Sequence, residues 1–243
     1  MDGIREINAS DEDLKLLARV YDGLYIAEFP DPDERESLPN MQTYLRKKAQ
    51  GWYGEINYHI LVLMERDKPV GLSISDYLAR ANAGVIEFIL TDPANRRSGY
   101  GRTLLDHTEA VLAQDARAGG SRADGMPFCI VAEMNDPAAK SDVEDNLDPA
   151  VRAGIWSRWG YRKLDFRYVQ PALSPEQKSV EGLLLIAKPM DMPSAAALAG
   201  EQVRMILLEY MRLAMRIDQP DVLPEYKVMS GTLGDNVRLL LLA

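Results

Sequence analysis

Apolar residues recur along this chain at two spacings, and the switches between them predict its elements. Ser10 and a run of acidic residues precede Leu14, Leu17, Ala18, Tyr21 and Leu24, the spacing of one buried helix face behind an N-cap. Phe29-Pro30-Asp31-Pro32-Asp33 ends that helix, and residues 38–49 predict a second one. Continuous apolar runs then take over at residues 57–65, 70–78 and 85–90, separated by short turns such as Arg66-Asp67-Lys68-Pro69. Three strands with short connections predict an antiparallel meander.

Helical spacing returns at Leu104, Leu105, Thr108, Val111 and Leu112. A glycine-rich linker at 119–125 leads to a buried strand at 127–133, and residues 180–188 read as another strand, paired with 162–169. A strand, a helical crossover and another strand imply that the 85–90 and 127–133 strands run parallel. Further on, residues 194–217 read as a long amphipathic helix and 236–242 as a short apolar strand. The apolar face of that helix needs cover, from its own domain or from a second subunit, so a homodimer is one expectation.

Composition narrows the picture. The chain has 243 residues and a net charge of −9, which disfavours a nucleic-acid surface and suits a cationic or amine substrate. No apolar stretch is long enough to span a bilayer and the first residues do not form a signal peptide, so a cytoplasmic location without membrane contact is expected. Cys129 stands alone in an apolar run, excluding an internal disulfide, and reads as a small buried hydrophobe. His59 and His107 are too few for a histidine metal site, and no metal is expected.

The segment after the 85–90 strand carries the chemistry. Asp92-Pro93-Ala94-Asn95 is a turn, and Arg96, Arg97, Ser98, Gly99, Tyr100, Gly101 and Arg102 lead into the next helix. Glycines at a helix entrance let an anion approach unpaired backbone N–H groups at the positive end of the dipole, and the arginines add charge. A ligand carrying phosphate follows. The Walker pattern is excluded because no Gly-Lys-Ser/Thr is present, and the Rossmann pattern because its three glycines are absent. Glu87 lies within an otherwise apolar strand, where burial would raise its pKa. It reads as a general base in a cleft or, alternatively, as a glutamate paired with an arginine. His59 likewise reads as a cleft base or as a satisfied structural histidine.

Arg96-x-x-Gly99-x-Gly101, after an apolar strand and Asp92-Pro93 and before an amphipathic helix, resembles the acetyl-CoA pyrophosphate loop of the GCN5-related N-acetyltransferases. The resemblance implies an α/β fold with a mixed central sheet flanked by helices, over residues 1–190, with residues 191–243 an additional C-terminal helix and short strand. It implies an acyl-CoA-dependent N-acyltransferase, acetyl-CoA or another acyl-CoA as cosubstrate, and a small-molecule amine as acceptor. By the same resemblance the loop residues hold the pyrophosphate, Leu90 and Thr91 the pantetheine arm in a gap between two splayed strands, and Asn135 a further pantetheine contact. Tyr25 and Phe29 become candidates for one wall of the acceptor pocket, with closure of the core as the other reading.

Two departures stand out. Trp156 occupies the position where the family commonly carries a tyrosine that protonates the leaving thiolate, and an indole N–H cannot do so. Tyr168 is the substitute candidate. The connection at residues 136–150 is also longer and more acidic than usual, as either a lid or a solvated insertion. Two other readings remain: an acyltransferase taking its acyl group from an acyl carrier protein, and a non-catalytic CoA-binding regulatory domain.

Overall fold

The structure, a computed structural model, describes residues 3–51, 56–119, 125–139, 146–174 and 176–242. In chain order the elements begin with β1 (Gly3–Glu6), α1 (Asp11–Val20), α2 (Ile26–Glu28) and α3 (Leu38–Ala49). The meander follows as β2 (Ile56–Glu65), β3 (Lys68–Leu78) and β4 (Ala83–Thr91), then α4 (Tyr100–Gly119), β5 (Cys129–Asn135) and α5 (Pro149–Arg158). The rest is β6 (Arg162–Leu164), β7 (Leu183–Pro189), β8 (Ala197–Ala199), α6 (Gly200–Glu209), α7 (Pro224–Thr232) and β9 (Asn236–Leu240). Among the described residues the strands form one mixed sheet in the order β1-β2-β3-β4-β5-β7-β6-β9-β8.

The meander is antiparallel as expected, and β4 and β5 form the parallel pair that the intervening helix requires. Alternation of side chains across the pleat assigns the two faces. On one face Ile60, Val62, Leu72 and Ile74 pack under α1 and α3, while Val85, Val131 and Leu185 pack under α6. On the other, Ile86, Ile130 and Ala132 meet α4 and α5. Gly84 allows the close seating of α4, since a Cβ there would stand 2.7 Å from Leu112 Cδ1.

Several boundaries differ from the sequence expectation for identifiable reasons. The strand β1 is too short to show a period, and is held by its register with β2 (Gly3↔Met64 to Glu6↔Leu61). The C-terminal helix starts at Gly200 rather than near residue 194, because Ala197–Ala199 pairs with β9 instead. A Cβ at Gly200 would stand 1.9 Å from the Gly234 carbonyl oxygen, so this junction needs glycine. The apolar face of α6, with Val203, Ile206 and Leu207, is buried against the sheet of its own chain, and Met211 of the turn after it joins the same cluster. The strand expected over 162–169 stops at Leu164, where Asp165 turns to meet Arg238 of β9 through backbone and side chain. Much of the 119–125 linker and of the acidic 136–150 connection falls outside the described residues.

His59 is buried on β2 and does not line the cleft between β4 and β5, and its contacts are those of a structural clamp. Its Nδ1 meets Glu6 Oε1 and its Nε2 meets Asp115 Oδ2, each at 2.7 Å, tying β1 and α4 to β2. Burial works against the imidazolium, but hydrogen bonds to Asp115 and Glu6 outweigh it and raise the His59 pKa. The hydrogen bond to His59 in turn lowers Glu6 to about 2. The lowered carboxyl contributes stability that is present above about pH 4.5 and lost as pH falls; the raised imidazole contributes stability that is present below about pH 6.5 and lost as pH rises through its folded value. His59→Gln should therefore lose about 1–3 kcal/mol at pH 6, with the gap to the unsubstituted protein narrowing toward pH 9. Thermal unfolding across pH checks this, and a gap independent of pH would refute an ionic clamp.

Candidate active site

The site begins with one extra residue. Ile74 pairs with Phe88 and Ser75 with Ile86, so Glu87 bulges out of the β3–β4 ladder. At the same place β4 leaves β5, whose pairing runs from Ala83↔Cys129 to Ile86↔Ala132 and then stops. Past that point the edge of β4 toward β5 is open, and a cleft of about 180 Å³ occupies the seam. Its walls include Glu87, Leu90 and Thr91 from β4, Glu133 and Asn135 from β5, and Trp156 and Trp159 at the end of α5.

The glycine loop closes one end. Arg97 adopts φ +70° and Gly99 φ +80°, and nothing lies within 4 Å of where a Gly99 Cβ would be. The first helical bond beyond it is Thr103 N–H to the Gly99 carbonyl, so the N–H groups of the first α4 turn project from the helix end. Arg97, Ser98 and Gly99 are exposed. Gly101 faces the cleft below the Trp159 ring, which a Cβ would meet at 3.4 Å. The arginines differ in role. Arg96 bonds Glu28 Oε2 at 3.0 Å and the Asn146 carbonyl at 3.2 Å, while Arg102 pairs with Asp106 at 2.5 Å. Tyr100 turns its side chain toward Glu65 and the Leu61, Leu63 and Leu104 cluster, leaving its backbone for the loop. The open backbone and exposed Arg97 suit a pyrophosphate, and the seam suits a narrow pantetheine arm.

The Asn146 side-chain amide also bonds the Ala27 carbonyl, so the described end of the acidic connection docks across the cleft onto α2. Leu147 thereby lines the cleft. Phe29 lines it too, in edge contact with Phe88 at 5.0 Å, whereas Tyr25 is core behind them. Cys129 is fully buried and burial raises its thiol pKa.

The two acidic groups at the seam are poised differently. Asp76 is fully buried, and neither of its oxygens nor Glu87 Oε1 has a hydrogen-bond donor among the described residues. Burial, then the adjacent Asp76 charge, holds the Glu87 carboxyl well above its usual range. Glu133 was not foreseen as a site residue. Its pKa is raised to about 7 by the balance of burial, which pushes it up most, the Tyr168 hydrogen bond, which pulls it down, the Glu34 charge, which pushes it up, and the Tyr210 hydrogen bond, which pulls it down. The signal was available: Glu133, like Glu87, is a carboxylate in an apolar strand. Tyr168 is 4% exposed and does not line the cleft; its hydroxyl donates to Glu133 Oε1. Burial, followed by the Glu133 charge, raises the Tyr168 pKa well above its usual value, so Tyr168 acts on the seam only through Glu133. Trp156 lies in the cleft wall, edge-on to Tyr161 at 4.6 Å. Among the described residues no three His, Cys, Asp or Glu side chains group as a metal would require.

The acetyltransferase (GNAT) family model matches residues 19–138, which contain the bulge, the glycine loop and β5. Over 75 residues the chain is 37% identical to a mycothiol acetyltransferase of Clavibacter sepedonicus, covering 31% of this chain and 20% of that protein. A mycothiol acetyltransferase of Clavibacter michiganensis subsp. michiganensis is 36% identical over 83 residues, covering 34% of this chain and 22% of that protein. The chain thus matches about a fifth of the length of these curated relatives. A structure described as a GNAT-family acetyltransferase from Bacteroides thetaiotaomicron shares the fold, with TM-score 0.59 and 18% identity over 88% of this chain and 99% of that one. Through residues 19–138 the chain belongs to the acetyltransferase (GNAT) family.

Proposed function

We propose that the protein is an acyl-CoA-dependent N-acetyltransferase acting on a small-molecule amine by direct attack in a ternary complex. The observation that carries this reading is the open seam beyond Ile86 and Ala132, with the glycine loop at one end and Glu133 on its wall. Acetyl-CoA supplies an acyl group already activated as a thioester. The α4 N-terminus and Arg97 hold its pyrophosphate, and Leu90, Thr91 and Asn135 border its pantetheine arm. Backbone N–H groups on the open edge of β4 oppose the charge that develops on the carbonyl oxygen.

Glu133 takes the ammonium proton. Its carboxyl titrates at about 7, where a base is available yet strong enough to accept. Glu87 stands across the seam beside Asp76, where burial and then the Asp76 charge hold its carboxyl well above the usual carboxylate range, and no tyrosine hydroxyl orients it as Tyr168 orients Glu133 among the hydrogen bonds of the described residues. This moves the base from the residue that the sequence favours to the one across the seam. Because the Trp156 indole N–H is too weak an acid to protonate a thiolate, Glu133 would also return a proton to the departing sulfur. The acidic surroundings, with Glu34 and Glu133 in the same cleft, favour a cationic acceptor. Similarity to named acetyltransferases supports acetyl as the transferred group.

Titration calorimetry with acetyl-CoA and free CoA tests the donor site first. Both should bind, and Gly99→Glu, which introduces a like charge at a position of φ +80°, should weaken them at least about tenfold. Unaltered binding by the variant would remove the loop from the donor site. The second test is Glu133→Gln, which should lower kcat/KM about 10²–10⁴-fold and abolish the acid limb near pH 7 while leaving the acetyl-CoA Kd unchanged. A variant that keeps the original pH profile would exclude Glu133 as the base.

A further inference from the structure

Behind the seam, a chamber of about 60 Å³ opens on the face of the sheet that carries α1, α3 and α6. It shares Glu34, Glu87, Phe88, Glu133 and Gln170 with the donor cleft, so the two cavities meet at the proposed base. One side is built by Glu36, Asn40 and Tyr44, from α3 and the turn before it. The opposite side comes from residues 210–216, far beyond the matched family region: Tyr210, Ala214, Met215 and Arg216.

This wall has a distinctive backbone. The C-terminal helix widens into a π turn over Tyr210–Ala214 and ends there, with Arg216 just beyond at φ +60°. A π turn re-aims the side chains that follow α6. Tyr210, 3% exposed, thereby reaches Glu133 with its hydroxyl, joining Tyr168 on the same carboxylate. Arg216 is anchored by the Leu213 and Ala214 carbonyls and lies 3.9 Å over the Tyr44 ring. It spans from the C-terminal segment to α3 and closes the far end of the chamber.

We propose that this chamber is the acceptor subsite, that residues 210–216 form its selective wall, and that Tyr210 is a positioning residue for the Glu133 carboxylate. The inference rests on the N-acetyltransferase reading and adds the location and selectivity of its acceptor. The amine stands between Glu133 and the seam, with the remainder of the molecule in the chamber. Four carboxyl groups, Glu34, Glu36, Glu87 and Glu133, line it, with Arg216 the one cationic side chain among the described lining residues. The ligand class is a compact organic amine without an anionic group. Burial, the Tyr168 hydroxyl, the Glu34 charge and the Tyr210 hydroxyl act on Glu133.

The test uses the full chain, acetyl-CoA, and three probes of equal chain length: an alkylamine, an α,ω-diamine and an ω-amino acid. Thiol release should favour both amines over the ω-amino acid by at least about tenfold in kcat/KM. Tyr210→Phe removes a hydrogen bond to the ionised carboxylate, so the acid limb of kcat/KM should move upward by about half to one pH unit, with the acetyl-CoA Kd unchanged. Ala214→Leu, which fills the chamber, should raise the acceptor KM while leaving the acetyl-CoA Kd unchanged. An ω-amino acid equal to or better than the amines would overturn the selectivity. An unmoved pH limb in Tyr210→Phe, or an unmoved acceptor KM in Ala214→Leu, would overturn the role of the C-terminal wall. Acetyl-CoA binding without thiol release for any probe would instead refute the N-acetyltransferase reading, and this inference with it.

Discussion

The structure depends on a break in hydrogen bonding at Glu87. An unpaired strand edge inside a protein exposes polar backbone groups at a cost of about 1–3 kcal/mol each when no partner replaces water. Here the break is built in, because the bulge shifts the face of β4 just where β5 turns away. Before it, Val85 and Val131 lie on the same face; after it, Phe88 and Leu90 join the cluster under α1 and α3. The seam can persist because the sheet is continuous on both sides: β3 stays paired with β4 to Thr91, and β7 stays paired with β5 to Asn135. Two well-held strands thus diverge without either being loose. The open edge is a fixed polar surface, and a ligand with amide groups of its own is its natural complement.

The same break explains why carboxylates gather there. A glutamate inside a fully paired, covered strand would be a buried charge without compensation. At the seam both Glu87 and Glu133 reach a cavity, yet they retain enough burial for their pKa values to rise. Their difference comes from partners. Glu87 faces Asp76, a second carboxylate, while Glu133 receives hydroxyls from Tyr168 and Tyr210. Like charge drives one pKa far up, and donated hydrogen bonds restrain the other near neutrality. Two similar residues on adjacent strands thereby acquire different chemistry.

The local part of this arrangement was legible in the sequence. Helix spacing placed α3 at residues 38–49, the apolar runs placed β2 to β4, and Gly99 and Gly101 marked the helix entrance where the structure has it. Glu87 stood out because a charge within an apolar run needs a reason. What sequence spacing could not supply was contact between distant segments. Glu133 carries the same local signal as Glu87, but its partners Tyr168 and Tyr210 lie 35 and 77 residues further along. The bulge was hidden for a different reason: one added residue in a continuous apolar run leaves no gap in the pattern. His59 read ambiguously, since its clamp depends on Glu6 in a four-residue strand and on Asp115 in α4.

Two π turns stand at opposite ends of the chain, Tyr21–Tyr25 after α1 and Tyr210–Ala214 after α6, and the second lines the chamber. Each presents a buried tyrosine whose hydroxyl meets a group of the acidic wall: Tyr25 accepts from the Glu36 backbone N–H, and Tyr210 donates to Glu133. A regular α-helix would carry its next side chain back onto the face that packs on the sheet. The wider turn changes that phase, so a helix that is core for most of its length ends as a cavity wall. The N-terminal turn lies within the matched family region and the C-terminal turn lies outside it. The core that carries α6 includes Val85 and Val131 of the two diverging strands. The C-terminal segment therefore contributes to the packing that sustains the seam and to the chamber behind it, and its effects on stability and on acceptor choice are coupled through the same contacts.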